Sequence, residues 1–334
     1  HYPLRRQRQM CIRDRHYPDD NHKPEVAVAL DSLIALVGFK CFSDILKILD
    51  MYPEITDFIG KDIANSAHHV TNGSATEQQT AVRLIYATLM RKAIAEREKL
   101  ARSIQRLDKR LRQVPDLSEH ATLFLDLRKI YDGAEVGLFA LFFLNLIHLQ
   151  KGQGVFLKSG IPHAYLKGNI VECMANSDNV VRAGLTPKFK DIETLIDILT
   201  YDLSPPPVLV PNRVNSCILS KDFPCRYTRF NSGLSGLGEE PTVKEVVYPT
   251  PVPDFQLSRW TMEGGEEKRE VTGDRPEILL ITRGEALIRW GTGTEREEAS
   301  FRQGQSMLIP ASLIEFQLVA QQSAEIFKAT VPQL

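Results

Sequence analysis

No stretch of this sequence is long and apolar enough to cross a bilayer. The best candidate, residues 136–149, falls short of the roughly 18 to 20 residues a span needs and is broken by Asn145 and His148. The basic N-terminal residues are followed by polar ones rather than by an apolar core, so no secretory leader is expected. Cysteine is scarce, odd in number and widely spaced (Cys11, Cys41, Cys173, Cys217, Cys225), with no CxxC. That excludes a disulfide framework and makes a reducing, cytoplasmic compartment the expectation. An excess of charge of one sign is also missing: 41 Lys and Arg face 42 Asp and Glu, a net charge of −1. No global field exists to recruit nucleic acid or an anionic membrane.

What is present is ordinary globular composition, 43% hydrophobic and 25% charged over 334 residues, enough for two or three cores. Residues 1–15 stand apart. His1-Tyr2-Pro3 recurs as His16-Tyr17-Pro18, and between them LRRQRQMCIRDR reads as a basic arm or as a disordered, non-native leader. From His22 the pattern alternates with period two, which puts Lys23 and Glu25 on one strand face above the small Ala27 and Ala29. A solvated ion pair would look like this; so would a floor that leaves room for a ligand.

Residues 41–149 read as helical, with Ser43 as a cap, a long amphipathic pattern over 76–112 and a further helix over 119–131. The basic residues of the long pattern are most simply a solvated face. From Lys151 the texture is β throughout, short alternating runs punctuated by Gly, Pro, Asn and Asp. Pro205-Pro206-Pro207 reads as a linker, and strands are expected at 277–282, 286–290, 306–310 and 315–319. GQGVFLKSGIPHAYL (152–166) lies over GQSMLIPASLIEFQL (304–318) without a gap and with its apolar alternation in phase. Two copies of a strand–turn–strand unit predict two related small barrels. His163 of the first copy falls on Glu315 of the second, so the second is expected to be a structural barrel without a site.

His163 and Tyr165 share a strand face, and imidazole nitrogen at a barrel rim suits zinc, although a lone His is more often structural. Glu172 follows on the next strand. Arg182 and Lys188 stand close together in a Gly- and Pro-shaped segment, and two fixed cations near a His and acids suit a phosphorylated substrate.

GIPHAYLKGNIVECMANSDNVVRAGLTPKFKD (160–191) and YPDDNHKPEVAVAL (17–30) resemble the two signatures of the type I mannose-6-phosphate isomerases, zinc enzymes of the cupin superfamily. The resemblance covers about 16–334. It implies a mainly β bicupin, two jelly-roll barrels plus a helical domain. The parts would be a partial catalytic cupin (16–40 and 150–204), a helical insertion (41–149) and a C-terminal cupin-like domain (205–334). It further implies Zn2+ held by Glu25 and His163, Arg182 as the catalytic arginine, and Lys23, Tyr165, Glu172, Asp178 and Lys188 as substrate-binding residues. The family's other two zinc ligands sit in a QxH motif, and no QxH precedes Glu25 here. The expectation is therefore an N-terminally truncated catalytic barrel that holds zinc weakly. The reaction implied interconverts mannose 6-phosphate and fructose 6-phosphate. The alternative is a non-catalytic sugar-phosphate binder. The partner expected in either case is a small sugar phosphate, met by a monomer, with no nucleic acid and no membrane.

Overall fold

The computed structural model describes residues 17, 19–213, 244–291 and 296–332. The basic leader 1–15, Cys217 and Cys225 lie outside them. Among the described residues the strands, all paired antiparallel, form two sheets in each half of the chain. In the first half, β1 (Glu25–Ala29) lies between β4 (Gly154–Leu157) and β6 (Ile170–Met174), with β7 (Val208–Leu209) beyond β4. Facing it, β2 (Leu33–Phe39) lies between β3 (Leu144–Leu149) and β5 (His163–Lys167). The small Ala27, Ala29 and Ala35 pack with Leu33, Val37, Leu149, Val155 and Leu157 in the core that joins these two sheets. The alanine floor expected beneath Lys23 and Glu25 is thus buried against the opposite sheet.

Residues 42–143 carry the helices that the pattern predicts, but the last six residues of the expected helical stretch are strand β3, paired with β2 from Leu33↔Leu149 to Phe39↔Leu144. A short apolar run has no periodicity that separates buried helix from strand. The long 76–112 pattern is two helices, Ala75–Ala95 and Arg97–Leu111, broken at Glu96. A capping box of Ser74 and Glu77 starts the first. The helix expected to be capped by Ser43 begins at Phe42 instead, after Cys41, with no side-chain cap. Their apolar faces, among them Tyr86, Phe124, Phe139 and Phe142, join Phe39 of β2 in the largest buried cluster among the described residues.

One polar contact in that cluster has a measurable consequence. Arg110 donates two hydrogen bonds to the buried Glu54 carboxylate, at 2.7 and 2.8 Å, and lies over the Tyr52 ring. Burial alone would raise the Glu54 pKa; the Arg110 guanidinium outweighs it and holds the carboxyl below its ordinary value. A depressed folded pKa contributes stability that is present above the unfolded pKa and lost as pH falls through the folded one. Arg110→Met is therefore expected to cost about 2 kcal/mol near neutrality, a difference that shrinks in acid. Urea midpoints at the two pH values check both the size and the sign.

In the second half, β12 (Glu277–Arg283), β15 (Ser306–Ile309) and β17 (Ala324–Thr330) belong to a sheet with β10 (Gln256–Met262), β9 (Lys244–Tyr248) and the short β8 (Asn212–Arg213). Strands β11 (Glu267–Val271), β16 (Glu315–Ala320), β13 (Glu285–Trp290) and β14 (Glu297–Arg302) form the facing sheet. All four strands expected here from sequence are present. The halves share a core in which Val26, Val28 and Phe156 meet Tyr248, Leu257 and Phe327. The chain beyond Pro205-Pro206-Pro207 does not leave the first half at once, because Val208 and Leu209 pair with β4.

The short sequence repeat extends to six strands of each half. Strands β1 to β6 correspond in chain order to β12 to β17, and the pairings agree one for one: β1·β4 with β12·β15, β1·β6 with β12·β17, β2·β3 with β13·β14, and β2·β5 with β13·β16. The turn before the repeat is the same in both. Gly152 and Gly304 both have φ +84°, a left-handed conformation that favours glycine. The Gln153 side-chain oxygen accepts from the Gln150 amide at 2.8 Å, and that of Gln305 from the Arg302 amide at 2.8 Å. Between β2 and β3 the first half inserts the helices; residues 291–296 suffice at the equivalent place in the second.

Candidate active site

Glu25 opens β1 and His163 opens β5, strands of facing sheets whose ends meet at one mouth. Glu25 is buried, 9% exposed. One of its oxygens lies 3.2 Å from His163 Nε2 and the other 3.9 Å from Lys23 Nζ. The ring is oriented from behind: Nδ1 lies 3.0 Å from the Ile161 carbonyl, which can only accept, so the hydrogen is on Nδ1. In a neutral ring the Nε2 lone pair is then turned toward Glu25. Burial alone would raise the Glu25 pKa, but His163 and Lys23 outweigh it and the net shift is downward. Burial likewise pushes His163 down, and its contact with Glu25 and the Ile161 carbonyl reverse that, leaving it raised.

Glu172 on β6 completes the cluster. Ligand atoms of Glu25, His163 and Glu172 all lie within 4.8 Å of one another. Tyr165 donates to a Glu172 oxygen at 2.7 Å, and burial followed by that carboxylate pushes the phenol far up, so it stays a donor. One nitrogen and two carboxylates converging on a point suit zinc, whose protein sites use three or four such ligands, and a backbone carbonyl accepting from Nδ1 is a usual outer partner of a metal-bound His. The residues present therefore fit zinc. Glu172, expected from the resemblance to bind substrate, stands beside the two expected metal residues and brings a third ligand group within reach.

The cluster lies in a cavity of about 1050 Å³ that Lys23, Tyr165, Arg182 and Lys188 also line. Arg182 and Lys188 sit on an irregular segment held by the helical part. Glu135 accepts from the Leu185 amide at 2.9 Å and the Gly137 amide at 3.1 Å, and its other oxygen lies 3.0 Å from Lys190 Nζ. Tyr131 donates to the Leu185 carbonyl at 2.6 Å. A Cβ at Gly184 would meet the Gly137 backbone at 2.8 Å, so the segment touches the helices directly.

Asp178 is not brought to this cavity: it is exposed and absent from the lining, and its amide donates to Asp19 at 3.3 Å. The neighbouring Asn179 lines the cavity instead. Sequence reading also missed Asp19, which accepts from Ser177 at 2.8 Å and Asn179 at 3.0 Å, and Ser159, whose hydroxyl accepts from the Lys23 amide at 2.8 Å. The Asp-rich run before Asn21 and the Lys-Ser-Gly turn were the signals available. Glu135 and Tyr131 left none, because their partner is distant in sequence.

The chain is 33% identical over 322 residues to mannose-6-phosphate isomerase of Macaca fascicularis, matching 94% of this chain and 69% of that protein. It belongs to the mannose-6-phosphate isomerase family. To the rat protein of that name it is 36% identical over 277 residues, spanning 59% of the relative's length. A phosphomannose isomerase variant from Salmonella typhimurium superposes with a TM-score of 0.71 at 25% identity, over 96% of this chain and 70% of that one. A mannose 6-phosphate isomerase structure bound with zinc and yttrium superposes with a TM-score of 0.69, over 96% and 69%. No protein-family model matches. Among the described residues no helix is long and apolar enough to cross a membrane.

Proposed function

We propose that this chain binds mannose 6-phosphate in the cavity and interconverts it with fructose 6-phosphate, on a zinc-dependent bicupin scaffold. The observation that carries the reading is the convergence of Glu25, His163 and Glu172 in the cavity that Arg182 and Lys188 also line. Aldose–ketose isomerisation opens the ring and moves a proton between C1 and C2 through an enediol. Zinc held by Glu25, His163 and Glu172 would supply a Lewis acid that polarises substrate oxygens. Lys188 and Lys23 hold phosphate or sugar oxygens as point charges. Tyr165, kept protonated, donates to an acceptor. Arg182 stabilises the negative charge that develops on the enediolate; a guanidinium is too poor a base to abstract the proton itself. The test is fructose 6-phosphate formation from mannose 6-phosphate, read by coupled reduction of a nicotinamide cofactor with zinc present. Sugar-phosphate binding without turnover would instead favour the non-catalytic reading.

Glu135 enters this reading as a positioning residue. Glu135→Ala frees the Leu185 amide and Lys190 together, and small misplacements of reacting groups cost up to about 100-fold. The expected result is a loss of about 10- to 100-fold in kcat/KM, with Glu135→Asp between the two. The melting temperature should fall no further in Ala than in Asp if the effect is positional.

A further inference from the structure

The pairing register assigns the candidate metal residues their counterparts in the second half. Glu25 lies opposite Leu157, the last residue of β4, and Glu277 lies opposite Ile309, the last residue of β15. Leu157 and Ile309 are aligned in the ungapped repeat. Two residues further along each strand, Ala27 lies opposite Val155 and Glu172, while Leu279 lies opposite Met307 and Lys328. The trio Glu25, Glu172 and His163 therefore corresponds to Glu277, Lys328 and Glu315. One carboxylate is kept, one has become an ammonium, and the imidazole has become a carboxylate.

The two inward members meet as their counterparts do. Lys328 Nζ lies 3.3 Å from Glu277 and also pairs with Glu270, and Glu277 is 1% exposed. Lys268 lies 3.0 Å from Glu245 and 3.3 Å from Glu270, and the two ammonium groups lie 4.8 and 4.9 Å from the Trp260 ring centroid. Three carboxylates thus share two ammonium groups, and the second oxygen of Glu277 is buried with no hydrogen-bond partner. Glu315, by contrast, is turned out to pair with the exposed Arg269.

We propose that this lumen is the counterpart of the Glu25–His163–Glu172 site, with the Lys328 ammonium standing where that site takes a divalent cation. The carboxylates of Glu270 and Glu277 are neutralised from within the chain, so the second half needs no metal to bury them. Without Lys328 the same carboxylates form an oxygen site with a vacancy for a divalent ion, and burying them uncompensated is costly. The substitution converts a self-neutralised core into a metal-requiring one.

The inference rests on the metal reading of the first half only for the class of ion, and the experiment separates the two. Lys328→Met, Lys328→Glu and Lys328→Arg are made in a chain whose first site is silenced by Glu25→Gln and His163→Ala. Melting midpoints are read with and without zinc or manganese chloride. The silenced parent and Lys328→Arg should not respond to metal. Lys328→Met should melt lower, with metal restoring at least half of the loss, and Lys328→Glu should fold cooperatively only with metal. An Lys328→Met chain as stable as its parent, a loss that neither metal touches, or variants unfolded in both conditions would overturn the proposal. In the unsilenced chain, a zinc response without any response of the Lys328 variants sinks this inference alone. The reverse pattern sinks the metal reading of the first half alone.

Discussion

Arg182→Ala is expected to lower kcat for mannose 6-phosphate isomerisation by about 100- to 1,000-fold, the usual effect of removing one well-placed charge-stabilising donor. Arg182 lines the cavity that holds Glu25, His163 and Glu172, on a segment clamped by Glu135 and Tyr131. Its role is to meet charge that appears only on the way to the enediol, so the loss should fall on kcat and leave KM within a few-fold. Arg182→Lys should recover part of the rate, since it keeps the charge and loses the planar fork. Arg182 is only partly buried and lines an open cavity, so the circular dichroism spectrum and melting temperature should be those of the parent. Activity within a few-fold of the parent would remove the charge-stabilising role.

How far this site was legible in the sequence depended on whether a residue's partner lay within its own strand. Lys23 and Glu25 were placed on one face by alternation alone, and they lie 3.9 Å apart. The proximity of Glu25 and His163 depends on strands from either side of the helices coming together; β2 pairs with β3 across that stretch, and Glu25 lies 3.2 Å from His163 Nε2. The resemblance places Glu172 among the pocket residues, and strand alternation gives the face it takes but nothing about how far it stands from Glu25. That distance follows from the pairing of β1 and β6, a register no local pattern encodes. Asp178 stands outside the cavity lining for a related reason. In a turn without period, one residue decides whether a side chain faces cavity or solvent, and Asn179 took the inward place. The repeat was visible over 152–166 and 304–318 only, since those residues include the φ +84° glycines and their Gln partners. The rest of the duplication, including Glu25 with Glu277, is carried by backbone pairing and left little trace in side-chain identity.

The metal site yields the other large effect. The chain is expected to bind one zinc ion per molecule after dialysis against metal-free buffer, since three ligand groups stand within 4.8 Å of one another and Nδ1 of His163 is already committed to the Ile161 carbonyl. The decisive variant is Glu172→Gln. It keeps the shape, and its side-chain oxygen still accepts from Tyr165, so the fold around β6 should hold. It removes the carboxylate charge that distinguishes a three-ligand site from the pair Glu25 and His163. Losing even an outer partner of a metal ligand costs about 10- to 100-fold in affinity, and a direct ligand should cost at least the upper end of that range. His163→Ala should do the same by removing the nitrogen, whereas Glu315→Ala, at the aligned position of the second half, should leave affinity within a few-fold because Glu315 is engaged by Arg269 at the surface. Competition titrations against a chromophoric zinc chelator measure all three. If Glu172→Gln binds as tightly as the parent, Glu172 serves substrate through its contact with Tyr165 and the metal is held by Glu25 and His163 with other groups.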